Sequence, residues 1–134
     1  NYFWFMKTSS ILSIFLLLFF VQSCKQKSSA GLGGNANLII NAKHHGLAID
    51  SCTIYVKFNS VDAPSNLSDY DLSQTLILDA NNISSTTFKG LKKGDYYIYG
   101  QGWDPSIAEA VKGGLPYTIS EEKDMNLTVS VTED

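Results

Sequence analysis

From Asn37 onward, apolar residues recur at every second position in short runs, and turn-forming residues break those runs every eight to twelve positions. Leu38, Ile40 and Ala42 alternate first, then Ile54, Val56 and Phe58, and near the end Leu127, Val129 and Val131. A period of two sends successive side chains to opposite faces of a strand, leaving one face apolar. No segment sustains a helical period. One-sided strands must cover that face, and the economical solution is two sheets packed against each other.

The turns divide the chain consistently with that solution. His44-His45-Gly46 reads as a solvated turn after the first strand, and Cys52 points inward with Ile54, Val56 and Phe58 in the second. A loop with Pro64 and several Asp and Ser residues leads to Leu76 and Leu78, both expected inward. Asn81-Asn82 suits a tight turn into ISSTTF, with Phe88 inward. DYYIYGQGW forms the next strand, short strands follow at Glu109 to Lys112 and Pro116 to Ile119, and NLTVSVTE closes the chain. The expectation is all-β: a single seven-stranded Greek-key β-sandwich over residues 37–134. Apolar residues at 44% and charged residues at 17% give a globular domain able to build a core without staples.

Upstream, Met6-Lys7 opens a short positive stretch followed by an apolar run from Ile11 to Val21. At about 1.5 Å per residue that run spans roughly 16 Å, half a hydrocarbon core, which suits a signal peptide rather than a crossing helix. Residues 1–5 precede Met6 and read as an upstream extension. Val21-Gln22-Ser23-Cys24 resembles the lipobox of bacterial lipoproteins, cut just before a cysteine whose sulfur takes a diacylglyceryl group. The resemblance covers only this stretch. It implies a signal peptide over 1–23 and a Cys24 carrying acyl chains such as palmitate, which anchor the protein to a membrane of the cell envelope. Lys25 stands where an Asp often marks inner-membrane retention, so the resemblance favours the outer membrane, facing the periplasm or the cell surface. The competing reading is an uncleaved helix with Cys24 as an ordinary thiol; Lys7, interrupting the apolar run, argues against it.

With Cys24 lipidated, Cys52 is left alone as a buried structural thiol. Residues 24–36, rich in Lys, Ser and Gly, read as a flexible tether. Past residue 24, nine lysines face thirteen acids, a net charge of −4, and no arginine is present to grip phosphate bidentately. Nucleic acid is therefore not an expected partner.

GLAIDSCTIYVKF at 46–58, followed by FKGLKKGDYYIYGQGWD at 88–104, resembles the prealbumin-like or carboxypeptidase-regulatory-like sandwich modules. Their Leu-x-x-Gly-x-Tyr turn falls on Leu91, Gly94 and Tyr96. Gly94 would supply a backbone angle that other residues avoid, and Tyr96 would pack inward with its hydroxyl tying the corner. Such modules serve as adhesin stalks, sugar-binding accessories and non-catalytic enzyme domains, so the resemblance implies a fold rather than an activity.

The most suggestive surface is DYYIYGQGWD. Alternation places Tyr97, Tyr99 and Trp103 on one outward face, beside Asp95, Gln101 and Asp104, a pattern that can stack on sugar rings and bind their hydroxyls. Tyrosines also favour strands for their own sake, and a neighbouring loop could cover them. The candidate ligand set is Tyr97, Tyr99, Gln101, Trp103 and Asp104, for a polysaccharide; the alternative partner is an envelope protein docking on an exposed strand edge.

Other motifs carry less. His44 and His45 are adjacent and so should face opposite ways on a strand, with no carboxylate fixed nearby, and no metal is expected there. Asp62, Asp69 and Asp71 lack the glycine and closing glutamate of a calcium loop. Lys43 and Asn126 would be the pair for an isopeptide bond, but Lys43 faces away from the core. Asn66, Asn82 and Asn126 open N-x-S/T triplets that carry no meaning in a bacterial cell. No nucleophile elbow, metal-ligand spacing or phosphate loop appears, so neither catalysis nor a cofactor is expected.

Overall fold

The computed structural model describes residues 29–134. The lipobox, Cys24, the signal-peptide stretch and residues 1–5 lie outside them.

Ten strands follow one another: β1 (Leu32–His44), β2 (Leu47–Ile49), β3 (Cys52–Phe58), β4 (Leu72–Thr75), β5 (Ile77–Leu78), β6 (Ser84–Leu91), β7 (Gly94–Asp104), β8 (Glu109–Ile119), β9 (Asp124–Ser130) and β10 (Thr132–Glu133). A single 3-10 turn at Leu67–Asp69 is the one helical element among the described residues, where no helix is long and apolar enough to cross a membrane. The first sheet is organised around β1. Along one edge β1 pairs with β6 and then β2, and along the other it runs parallel to β9; β5 extends the sheet beyond β6. The second sheet has the order β10-β8-β7-β3-β4 and is antiparallel throughout.

The two inner faces meet in one core. Leu38, Ile40, Ala42, Phe88 and Val129 come from the first sheet, and Ile54, Val56, Tyr96, Ile98 and Val111 from the second, each at most 1% exposed. Cys52 joins them, and burial pushes its thiol up to about 11, which keeps it protonated and inert.

Three expectations are corrected. The domain does not begin at Asn37: Ala30, Gly31 and Ala36 are buried, and β1 starts at Leu32, so the stretch assigned to the tether runs into the fold. The glycines there serve close approach, since a Cβ on Gly34 would collide with the Leu91 carbonyl. Leu78 is half exposed: Leu76 is buried where its N–H donates to the Cys52 carbonyl of β3 at 2.9 Å, and the chain then crosses to the free edge of β6, where Ile77 and Leu78 form β5 and both stay exposed. The two short strands at Glu109 to Lys112 and Pro116 to Ile119 are one, β8. β10 pairs with β8 only at Val111 and Lys112, so Pro116, which has no N–H, interrupts no ladder on that side. Among the described residues both sheets are complete and cover each other's apolar face around one core, so residues 29–134 carry the two packed layers a sandwich needs to fold.

Each end of the sandwich is tied by one buried polar side chain. At the start of β7, Gly94 has φ +149 and its missing Cβ would lie 2.6 Å from the Ala30 nitrogen. Two residues on, the Tyr96 hydroxyl donates to the Lys92 carbonyl at 2.7 Å and accepts from the Gly31 N–H at 3.0 Å. This is the corner expected of the Leu-x-x-Gly-x-Tyr turn. At the opposite end the tie is His44.

Candidate functional site

The outer face of the second sheet carries the aromatic row. Antiparallel pairing of β7 with β3 sets Tyr99 opposite Tyr55 and Gln101 opposite Thr53, while pairing with β8 sets Tyr99 opposite Gly114 and Gln101 opposite Lys112. Tyr97 and Tyr99 are half-buried, Gln101 is exposed, and Trp103 is 47% exposed, so the row points outward as its alternation requires. Tyr97 is partly committed to structure: it lies against the bare backbone of Gly114, where a Cβ would come within 2.9 Å of its ring.

Sequence reasoning missed Tyr70. The loop between β3 and β4 folds back over the sheet and stacks Tyr70 on Tyr99, with ring centroids 5.8 Å apart and an interplanar angle of 25°. Tyr55 completes the cluster at 5.6 Å from Tyr70 and 6.2 Å from Tyr99. The loop is held by Asp71, which accepts from the Phe58 N–H at 2.7 Å and pairs with Lys57. Asp69 accepts from Asn66, so Asp69 and Asp71 are spent on loop structure. The one sign in the sequence was a lone aromatic in a polar loop.

Tyr99 and Gln101 form a ridge between two open clefts. One, of about 180 Å³, is completed by Ala110, Val111, Lys112 and Asp134; the other, of about 210 Å³, by residues 63–67 and Tyr70. Desolvation pushes the Tyr70 phenol up to about 12 and raises that of Tyr99, so both stay protonated and able to donate at neutral pH. Lys112 and Asp134 pair at the rim of the smaller cleft. The surface thus offers ring faces, hydroxyls, an amide and a charged pair.

Asp104 does not join this face. It lies on the inner side of β7, two steps past Gly100, and is 7% exposed. Its Oδ1 accepts from the Ser106 N–H at 2.8 Å and hydroxyl at 2.6 Å, and Oδ2 lies 2.6 Å from His44 Nδ1. Those contacts, Ser106 foremost, hold the carboxyl down at about 2. Asp95, by contrast, is on the outer face, where it accepts from Thr118 at 2.7 Å.

His44 is likewise not in a solvated turn. It is the last residue of β1, 2% exposed, with Nε2 2.6 Å from Glu133 Oε2. The turn is His45-Gly46 alone, both with positive φ, +48 and +80. Lys43 and Asn126 are kept apart: Lys43 pairs with Ser130 and Asn126 with Ile39, four residues along the ladder.

No known protein family, curated protein or solved structure matches this chain.

Proposed function

We propose that this chain is a lipid-anchored, non-catalytic binding module of a bacterial cell envelope, and that its aromatic face takes carbohydrate. The observation that carries this is the Tyr99–Gln101 ridge, shared by two clefts and walled by Tyr70. Each cleft alone is smaller than the roughly 300 Å³ of an ordinary small-molecule pocket, but together they suit a chain of sugar units laid across the ridge. Sugar rings stack on tyrosine faces, and Gln101 with the neutral phenols supplies donors for hydroxyls. Asp104 leaves the ligand set, and Tyr70 enters it beside Tyr97, Tyr99, Gln101 and Trp103. The anchor rests on the lipobox resemblance and Cys24, which the resemblance places at the outer membrane. The prealbumin-like, seven-stranded Greek-key reading is supported by the proportions of the strands: β2, β5 and β10 have only two or three residues each, leaving seven longer ones.

Trp103 is the only tryptophan in residues 29–134, on the same face as Tyr99, so its fluorescence reports on this surface. Titration of that stretch with envelope glycans and common polysaccharides is expected to give a saturable shift that Tyr99→Ala abolishes. A flat response from folded protein rejects the carbohydrate reading.

A second reading, a structural or protein-docking module, is favoured by one patch. Ile77 and Leu78, 70% and 50% exposed, make up the edge strand β5, and Ile83, 55% exposed, directly precedes β6. Docking there would survive Tyr99→Ala and fail with Ile77→Pro.

A further inference from the structure

We propose that His44, His45 and Glu133 bind one divalent first-row transition metal, with Asp104 as the residue that positions His44. The three donor groups come from the end of β1, the turn after it, and β10, and their ligand atoms all lie within 4.8 Å of one another. Glu133 presents Oε2 to His44 Nε2 at 2.6 Å and Oε1 to His45 Nε2 at 3.6 Å. A metal at about 2.0–2.2 Å from each donor would hold them a little over 3 Å apart, so only small side-chain movements separate this arrangement from a coordinating one.

The expectation that adjacent histidines diverge fails for a local reason. It applies to two residues on one strand, whereas His45 occupies a left-handed turn position. That backbone bends its ring back beside His44, to 4.1 Å between centroids. Behind the cluster, the hydrogen bond from His44 Nδ1 to Asp104 fixes the ring and aims Nε2 outward, and both Asp104 oxygens are engaged, one by His44 and the other by Ser106. A histidine backed by a held carboxylate is the usual outer shell of an imidazole–metal bond. A simple ion pair would need only His44 and its carboxylates; it gives no role to His45, which the turn nonetheless brings alongside.

The donor set selects the ion. Two imidazole nitrogens and one carboxylate suit Zn²⁺, Ni²⁺ or Cu²⁺, and are poor in the oxygens that Ca²⁺ or Mg²⁺ requires. The His45 side chain is 70% exposed and that of Glu133 40%, which leaves an entry path and a fourth position for water. Binding makes an Nε2–metal bond and sends any proton held on that nitrogen to solvent; nothing is oxidised or reduced. The bound ion would clip the first hairpin of one sheet to the last strand of the other.

The test uses residues 29–134, stripped with chelator and titrated with Zn²⁺ by calorimetry, alongside the melting temperature. One Zn²⁺ per chain is expected, with a rise in melting temperature that Ca²⁺ does not reproduce. His45→Ala, at an exposed position where one L residue replaces another at the same left-handed φ, should lower the metal-free melting temperature only slightly and weaken Zn²⁺ at least about tenfold, as should Glu133→Gln. His44→Gln would add little if it fails to fold, which is why His45→Ala decides. No saturable binding at millimolar Zn²⁺, or equal affinity in His45→Ala, overturns the site and leaves an ion pair only.

Discussion

The two ends of the sandwich solve one problem with opposite chemistry. Each must join the sheets where the apolar core runs out, and each uses a ring that is no more than 2% exposed. Tyr96 does it with a neutral hydroxyl bonded to backbone groups of Lys92 and Gly31. His44 does it between two carboxylates. A neutral tie between permanent dipoles holds over a wide pH range. A tie between ionisable groups depends on where its protons are, and it can exchange one for a metal. The difference teaches that one end is committed to structure alone, whereas the other is responsive.

The largest effect is expected from breaking the neutral end at its backbone. Gly94→Ala would place a Cβ within 2.6–2.9 Å of Ala30 and force a positive φ on alanine. Strain and overpacking together should cost about 3 kcal/mol or more, read as a lowered urea midpoint with an unchanged slope. Tyr96→Phe is the milder cut. It keeps the ring, including its edge-to-face contact with Phe58 at 5.7 Å, and strands the Gly31 N–H and the Lys92 carbonyl. A loss of about 1–3 kcal/mol is expected. It should be the same at pH 5 and pH 8, since burial raises the Tyr96 phenol and keeps it protonated across that range. A loss that varied across that interval would mean the two ends are coupled.

Much of this is legible in the alternation. Leu38, Ile40 and Ala42 point inward, and the next step of the same period is His44. Tyr96 and Ile98 are followed at the same parity by Gly100, Gly102 and Asp104, and Val129 and Val131 by Glu133. The glycines made the inner face of β7 look finished, and His-His-Gly looked like a turn, so local turn chemistry outweighed a period that should have been carried one step further. What no period holds is which inner faces meet. His44 lies 60 residues from Asp104 and 89 from Glu133, and only the stacking of the sheets brings them together. The start of the domain was hidden for a related reason: glycine reads as flexibility in a sequence, but Gly34 is there because another backbone passes too close for a side chain.

The smallest effect, and the sharpest separation of the ends, is in the pH profile of metal-free protein kept in chelator. The hydrogen bonds to Asp104 and then Glu133 raise the His44 pKa above 6.5, against the pull of burial. The folded state then holds that proton more tightly than the unfolded chain, so its contribution is complete below pH 6.5 and is lost as pH climbs through the higher folded value. The carboxylates act in the other direction. Asp104, held at about 2 chiefly by Ser106 and then His44, contributes above its ordinary 3.8 and loses that contribution as pH falls toward 2. Glu133, also lowered, follows the same sign from 4.5. Stability should therefore be greatest between about pH 4.5 and 6.5 and decline on both sides. His44→Gln keeps a hydrogen-bonding side chain of similar reach but no titratable charge. It should abolish the decline above pH 6.5, whereas Tyr96→Phe should lower the whole curve without changing its shape. If the alkaline decline persists in His44→Gln, the responsive tie is not His44, and the contrast between the two ends fails.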